Sequence, residues 1–499
     1  MGIPSIFRFD RRFQWVIPAL WALWVFALVY YYFGHTPPWG LPDVALREEL
    51  RNAHLSKVLG VLASALKTLL LDLAFLVVFL AFGRRIRHFF GLREHLPMIP
   101  ILEIVLGMVG IQLLWLGLGL NRLWNETLLL PLGCLFLGCS LWDLSRGFFK
   151  PGKGSFPRPQ TVFQWLLGGL CLAMILLLFA QVSLPEVYYD ALTYHLSVLR
   201  AWSQAGGITN LPTNLYSYFP FGTEMVFYGP FHWGSEEAVE GLNVIFLILV
   251  AWAAGTWARE EGGKTASYLA AGWVLSLPLM ASVAWCAQVD GLHALTTLLF
   301  FYCLSQTSRK MTVPWLVTSA IMGGMAMAVK YTAFLTLSAG LMVWGKDIAR
   351  KTRLNLSLVL GVSIPLAVLS LPWLIKNWVY SGNPFYPYVG SWFHGFALPA
   401  DRMAYLMSVH VQALGSGENF FLWISQVFAR DLDKTLAPLL FSFLPLLFFA
   451  GGAREKGGKI LSAGFLSLFL GLALTHLMRL NLGPITVVRP RWRNPDTGQ

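Results

Sequence analysis

The chain has 499 residues, of which 56% are hydrophobic and only 12% charged, with a formal net charge of +12. A soluble domain carries about 25% charged residues, so there is too little polar surface here to cover a water-soluble globule. Lys and Arg gather in short loops between apolar runs, which is the pattern of a membrane protein and excludes a nucleic-acid partner as the reading of the charge.

Apolar runs of roughly 18 or more residues recur along the whole length, each able to cross about 30 Å of hydrocarbon. Backbone amides in lipid must be paired within the protein, so these runs are expected to be helices. The fold class expected is therefore all-α: a polytopic transmembrane helical bundle of about 13 spans, with two long outer loops carrying short amphipathic helices. In chain order the spans fall at 14–33, 58–82, 98–119, 127–145, 162–183, 237–257, 265–285, 291–307, 314–329, 332–345, 355–375, 436–450 and 460–477. Arg8, Arg11 and Arg12 precede the first run without a small-residue cleavage site, so that helix is expected to stay as an anchor.

Charge orients the spans. With Arg8, Arg11 and Arg12 inside, the loops carrying Arg84, Arg85 and Arg87, then Arg146 and Lys150, then Arg259 and Lys264 also fall inside. So do those carrying Arg309 and Lys310, Lys346 to Arg353, and Arg454 to Lys459. This is the positive-inside pattern, and it places 34–57, 184–236 and 376–435 outside. The basic tail 478–499 also falls outside, against the rule. Three parts follow: N-terminal transmembrane helices over 1–160, a core over 161–390 that includes the outer loop 184–236, and an outer loop with last helices and polar tail over 391–499. The expected location is an inner (plasma) membrane crossed many times.

The spans contain isolated acids, which are candidates for function because a carboxylate in lipid is costly. Asp143 is expected to pair near Arg146, whereas Asp72 and Glu103 have no evident partner in the sequence. The five cysteines form no CxxC pair and are expected to act as small apolar residues. Asn125-Glu126-Thr127 matches a glycosylation sequon but abuts a helix start, where Asn125 is a natural cap.

The outer segment 184–236 carries the densest chemistry. Asp190 lies just beyond a span and is followed by Tyr194, His195 and Arg200 on an expected helix over 191–204. On that helix Ala191, His195 and Val198 share a face, with Tyr194 and Arg200 turned away from it. Asp190 either caps the helix or acts as a base at the membrane rim. Tyr218, Phe219, Pro220 and Glu224 follow, and aromatic residues suit sugar faces and interfacial lipid. Asp290 and His293 sit in a short connection at the same depth as Asp190, where the two acids can hold a divalent cation or Asp290 can cap its helix. Lys330 falls between two apolar runs on the outer side; it can meet a lipid phosphate or snorkel to the interface. Asn383-Pro384 and Tyr386-Pro387 mark turns after a helix, and Arg402 lies further along as a candidate for substrate binding.

Taken together, the stretch YYDALTYHLSVLRAW, the run from Tyr218-Phe219-Pro220 to Glu224, Asp290, the pair Lys330-Tyr331 and KNWVYSGNPFYP resemble the GT-C superfamily of membrane glycosyltransferases over roughly 160–390. Bacterial mannosyltransferase-like members use polyprenyl-phosphate sugars. The resemblance implies a hexosyltransferase whose catalytic base is Asp190. Asp290 would bind substrate or a cation, and Lys330 or Arg200 would meet the donor phosphate. The partners implied are a lipid-linked sugar donor, a glycan, lipid or protein acceptor, and membrane lipids. A flippase of lipid-linked sugars and a non-catalytic assembly subunit are the alternatives. Acids at the rim rather than mid-membrane, and the lack of internal repeats, favour the enzyme.

Overall fold

The computed structural model describes residues 55–387, with short interruptions at 95, 147–155, 183, 311 and 352–354, together with Phe393. The spans expected at 14–33, 436–450 and 460–477, most of the loops 34–57 and 376–435, Arg402 and the basic tail lie outside the described residues. Among the described residues every regular element is a helix.

The chain runs through α1 (Leu55–Phe89), α2 (Ile99–Leu120), α3 (Glu126–Ser145) and α4 (Val162–Gln181). Then come α5 (Leu196–Gln204), α6 (Gly222–Trp233), α7 (Glu236–Ser276) and α8 (Pro278–Ala284). The series closes with α9 (Asp290–Lys310), α10 (Val313–Val329), α11 (Ala333–Lys351) and α12 (Leu356–Ser381). Six stretches are long and apolar enough to cross a membrane: α2, α4, α12 and most of α1 and α3, together with the first arm of α7. The chain is a membrane protein.

Burial sorts these helices. α2 is apolar all round and sits in the middle of the bundle, where Ile101, Leu102, Val105 and Met108 are fully enclosed. α3, α4 and α12 instead turn Leu135, Trp142, Leu166, Leu176, Ile364 and Ile375 outward. So continuous an apolar exterior is stable only against hydrocarbon.

α1 and α2 form the tightest pair. A Cβ added to Gly107 would fall 1.8 Å from the Phe79 carbonyl oxygen, and one on Gly83 would fall 1.6 Å from that of Glu103. Without a hydrophobic drive between helices in lipid, backbones that approach this closely gain their stability from packing. Gly107→Val is expected to force the pair apart and to cost about 1–3 kcal/mol or more. Thermal unfolding in detergent reads this as a clear fall in Tm.

The same hairpin answers the question of Glu103. Its Oε1 accepts from Arg87 Nε at 2.8 Å and from Arg84 Nε at 3.1 Å, so this acid pins the basic end of α1 to α2. Asp143 also finds α1, pairing with Arg85 at 2.7 Å rather than with Arg146. Arg146 lies just past the end of α3 and stacks over Trp142 at 4.6 Å. Asp72 remains fully buried, and neither of its carboxylate oxygens has a hydrogen-bond partner among the described residues.

Two expected spans, 237–257 and 265–285, are joined differently from the expectation. α7 covers the first and much of the second as 41 residues broken only at Gly263, whose φ of 77° is open to glycine at little cost. Straight, it would run about 60 Å, roughly twice the hydrocarbon core. A Cβ on Gly255 would lie 2.9 Å from the Ser267 carbonyl, a contact that a straight helix forbids, so the chain doubles back at Gly263. The second arm stops at Ser276 because Leu277, preceding Pro278, is extended, and α8 starts anew. The expected cap at Asn125 is present, with its Oδ1 accepting from Leu128 N–H at 3.0 Å. The five cysteines are all free, with Cys286 and Cys303 buried and Cys134 and Cys139 exposed on α3.

Candidate functional site

The two ends of the bundle differ in chemistry. At one end Lys310 pairs with Glu94, Lys351 donates to the Ser308 carbonyl at 2.8 Å, and Arg85 meets Asp143. At the other end the segment 184–236 lies against the turn before α9 and the finish of α12, where Asp290 and Lys330 also meet. Asp190, Asp290 and Lys330 all belong to this second end.

Asp190 opens a single π-helical turn, Ala191–His195, that runs into α5. The even α-helix expected over 191–204 is thus wrong for its first turn, where the backbone bonds reach one residue further and the Leu196 N–H finds the Ala191 carbonyl. The burial of Ala191, His195 and Val198 follows the expected face. Asp190 makes no capping hydrogen bond, so the cap reading of this residue fails. Its carboxylate stays half-exposed, with no hydrogen bond to a described residue.

The π turn is fixed from below. His195 Nδ1 meets Glu224 Oε1 at 2.5 Å, and both side chains are buried. Glu224, a candidate for substrate binding in the sequence, is thus buried beneath the turn and paired with His195. Lys376 in turn lies close enough to Glu224 to feel its charge. It donates to the carbonyls of Ser217 at 2.5 Å and Phe219 at 3.1 Å, with the rings of Trp202, Phe221 and Trp373 about 5.4–5.5 Å away. One buried cation thus closes the 217–221 turn onto α12. Lys376→Met leaves the Ser217 and Phe219 carbonyls without their buried donor and is expected to cost about 1–3 kcal/mol, as an unsatisfied buried polar group does. Thermal unfolding of the purified variant checks it. Lys376 opens the quoted KNWVYSGNPFYP run, where the sequence placed it just beyond a span ending at 375, whereas α12 continues to Ser381.

Above this support sits Tyr194, stacked on Tyr216 with ring centres 4.7 Å apart and tilted over His195 at 4.1 Å. Burial pushes its phenol well above the ordinary range, and the charges of Asp190, Glu224 and Asp290 push it further in the same direction. Tyr194 therefore keeps its proton, with the three acids near enough for their charges to act on it. Tyr188 also feels both Asp190 and Asp290, after a first effect of burial. Residues a hundred positions apart meet here.

Asp290 begins α9 and accepts from Lys330 Nζ at 2.7 Å. Lys330 ends α10, so the pair bridges two helix termini, and both side chains keep over a third of their surface open (35% and 39%). His293, one turn along α9, lies near both charges. Lys330 thus has a definite partner rather than a snorkelling position. Asp290 spends one oxygen on it, and among the described residues no three His, Cys, Asp or Glu gather as a metal site.

Two further sequence candidates are placed elsewhere. Arg200 is mostly exposed and pairs with Glu236 at the start of α7. Tyr218 is buried, its hydroxyl donates to Asn210 Oδ1 at 2.8 Å, and its ring packs against Tyr386. An apolar groove of about 840 Å³ opens between α1, α2, α10 and α12 beside Arg85, at the basic end, and none of the site residues line it.

A family model described as a domain of unknown function, DUF8201, matches residues 66–412. That is well over half of the chain. The chain belongs to the DUF8201 family. The matched stretch takes in α2 to α12 and the whole of the site, so the convergence described above belongs to the DUF8201 region itself. No curated protein and no solved structure matches the chain significantly.

Proposed function

We propose that this chain is a GT-C-like membrane glycosyltransferase that moves a sugar from a polyprenyl-phosphate donor to an acceptor hydroxyl on the outer face. The observation that carries this reading is the convergence of Asp190 with the Asp290–Lys330 pair around Tyr194 at one end of the bundle. Orientation follows from charge, since Arg84, Arg85, Arg87, Lys310 and Lys351 crowd the other end and belong inside. A multi-pass arrangement of about 13 spans in the inner membrane goes with that orientation.

The chemistry needs a base, a held leaving group and limited water. The acceptor hydroxyl attacks the anomeric carbon, and Asp190 takes its proton. The bond between that carbon and the phosphate oxygen breaks, and polyprenyl phosphate leaves with the electron pair. Lys330 meets the growing charge on that phosphate. In the absence of donor its ammonium rests on Asp290, so an incoming phosphate replaces one anion by another. Tyr194, held as a neutral phenol among three acids, is placed to donate to a sugar oxygen. Asp290 and Asp190 are also the acids that would hold a divalent cation, if the donor brings one.

The test is direct. Purified protein in proteoliposomes is given a panel of polyprenyl-phosphate sugars, and released polyprenyl phosphate is followed. Release that depends on Lys330 and Asp190 is expected. Transport of intact lipid-linked sugar without release would favour a flippase instead.

A further inference from the structure

Each acid of the site stands a few residues after one end of a single hydrogen-bonded clasp. Glu186 lies four residues before Asp190, and Ala287 lies three residues before Asp290. Glu186 Oε2 accepts from the Ala287 N–H at 2.7 Å, while its Oε1 accepts from the Tyr188 N–H at 2.8 Å. One carboxylate therefore holds the backbone leading to Asp190 against the backbone leading to Asp290. The receiving side is itself rigid. Asn243 of α7 is fully buried and its Nδ2 donates to the carbonyls of Val283 and Cys286, both at 2.8 Å. The turn before Asp290 is thus bolted to α7, and Glu186 ties the outer segment to that fixed point. The Cys286 thiol is enclosed in the same place, facing Glu186 and with no exposed surface.

We propose that Glu186 is the positioning residue that sets the spacing of the Asp190 and Asp290 carboxylates. The proposal rests on the reading that both acids serve one transfer reaction. Charge-assisted bonds from two backbone amides are stronger than neutral ones, and a carboxylate has an acceptor oxygen for each. Gln has only one, and Ala has none. A displacement of about 1 Å between reacting groups is enough to cost about 100-fold in rate.

The experiment uses full-length protein in nanodiscs, with wild type, Glu186→Ala and Glu186→Gln side by side. Two quantities are read: N-ethylmaleimide labelling of Cys286, mapped by mass spectrometry, and the kinetics of polyprenyl phosphate release. In wild type Cys286 is expected to resist labelling. In Glu186→Ala it should label at least about 10-fold faster, and kcat should fall at least about 10-fold with the donor KM little changed. Glu186→Gln should restore most of the protection and most of kcat. The proposal is overturned if Cys286 stays protected in Glu186→Ala, or if it opens while kcat holds. If wild type releases polyprenyl phosphate from none of the donors, the transferase reading itself has failed. The labelling of Cys286 still reports on the clasp in that case, so the two failures are told apart.

Discussion

Asp190→Asn is expected to lower kcat for sugar transfer by about 100- to 10,000-fold, the usual contribution of a positioned base. The substitution keeps size and shape and removes only the ability to take a proton. Asp190 makes no hydrogen bond that the fold depends on, so expression and thermal stability should be those of wild type. Donor binding should also persist, because the phosphate is held by Lys330 and not by Asp190. The measurement is a steady-state rate of polyprenyl phosphate release beside a donor-binding isotherm for the same preparation. A variant that transfers at the wild-type rate removes Asp190 from the mechanism.

The second large effect belongs to Lys330. Removing one preorganised donor to a developing anion costs about 100- to 1000-fold in kcat, and Lys330→Met should fall in that range. Unlike Asp190→Asn, it should also weaken donor binding, because the ground-state phosphate is anionic before the reaction starts. Asp290 loses its partner in this variant, yet over a third of it is open to solvent, so folding should survive. Lys330→Arg keeps the charge but changes its shape and should recover only part of the rate. Rising salt should weaken donor binding by wild type and leave Lys330→Met almost unaffected. Equal donor affinity in wild type and Lys330→Met would contradict the assignment.

Much of the fold could be read from the sequence because apolar length is a strong signal in a membrane. The helices from α1 to α4 and from α9 to α12 lie within a few residues of the expected runs over most of their length. The break inside α7 was announced by the basic pair Arg259 and Lys264, while the early stop at Ser276 needed the backbone restriction that Pro278 places on Leu277. In the site, Asp190, Asp290 and Lys330 stood out because charged residues at a span end are costly unless they have a task or a partner.

What could not be read was who meets whom. Lys330 with Asp290, Glu224 with His195, Glu186 with Ala287 and Arg85 with Asp143 are separated by between 29 and 101 positions. Helical spacing says nothing about such pairs, because it relates only residues within a turn or two. Arg200 illustrates the point: helical spacing turns it away from the His195 face but cannot name Glu236 as its partner. Glu224 is the converse case. A candidate for substrate binding in the sequence, it is buried against His195 in the turn that carries Asp190.

A cryo-EM reconstruction of the protein with a polyprenyl phosphate bound would probe the shared site most directly. The expected result is phosphate density against Lys330 Nζ, with Asp290 released from its ion pair, Asp190 across the gap and the lipid chain leaving sideways between helices. Phosphate density beside Arg84, Arg85 and Arg87 at the basic end, with Lys330 still on Asp290, would contradict it.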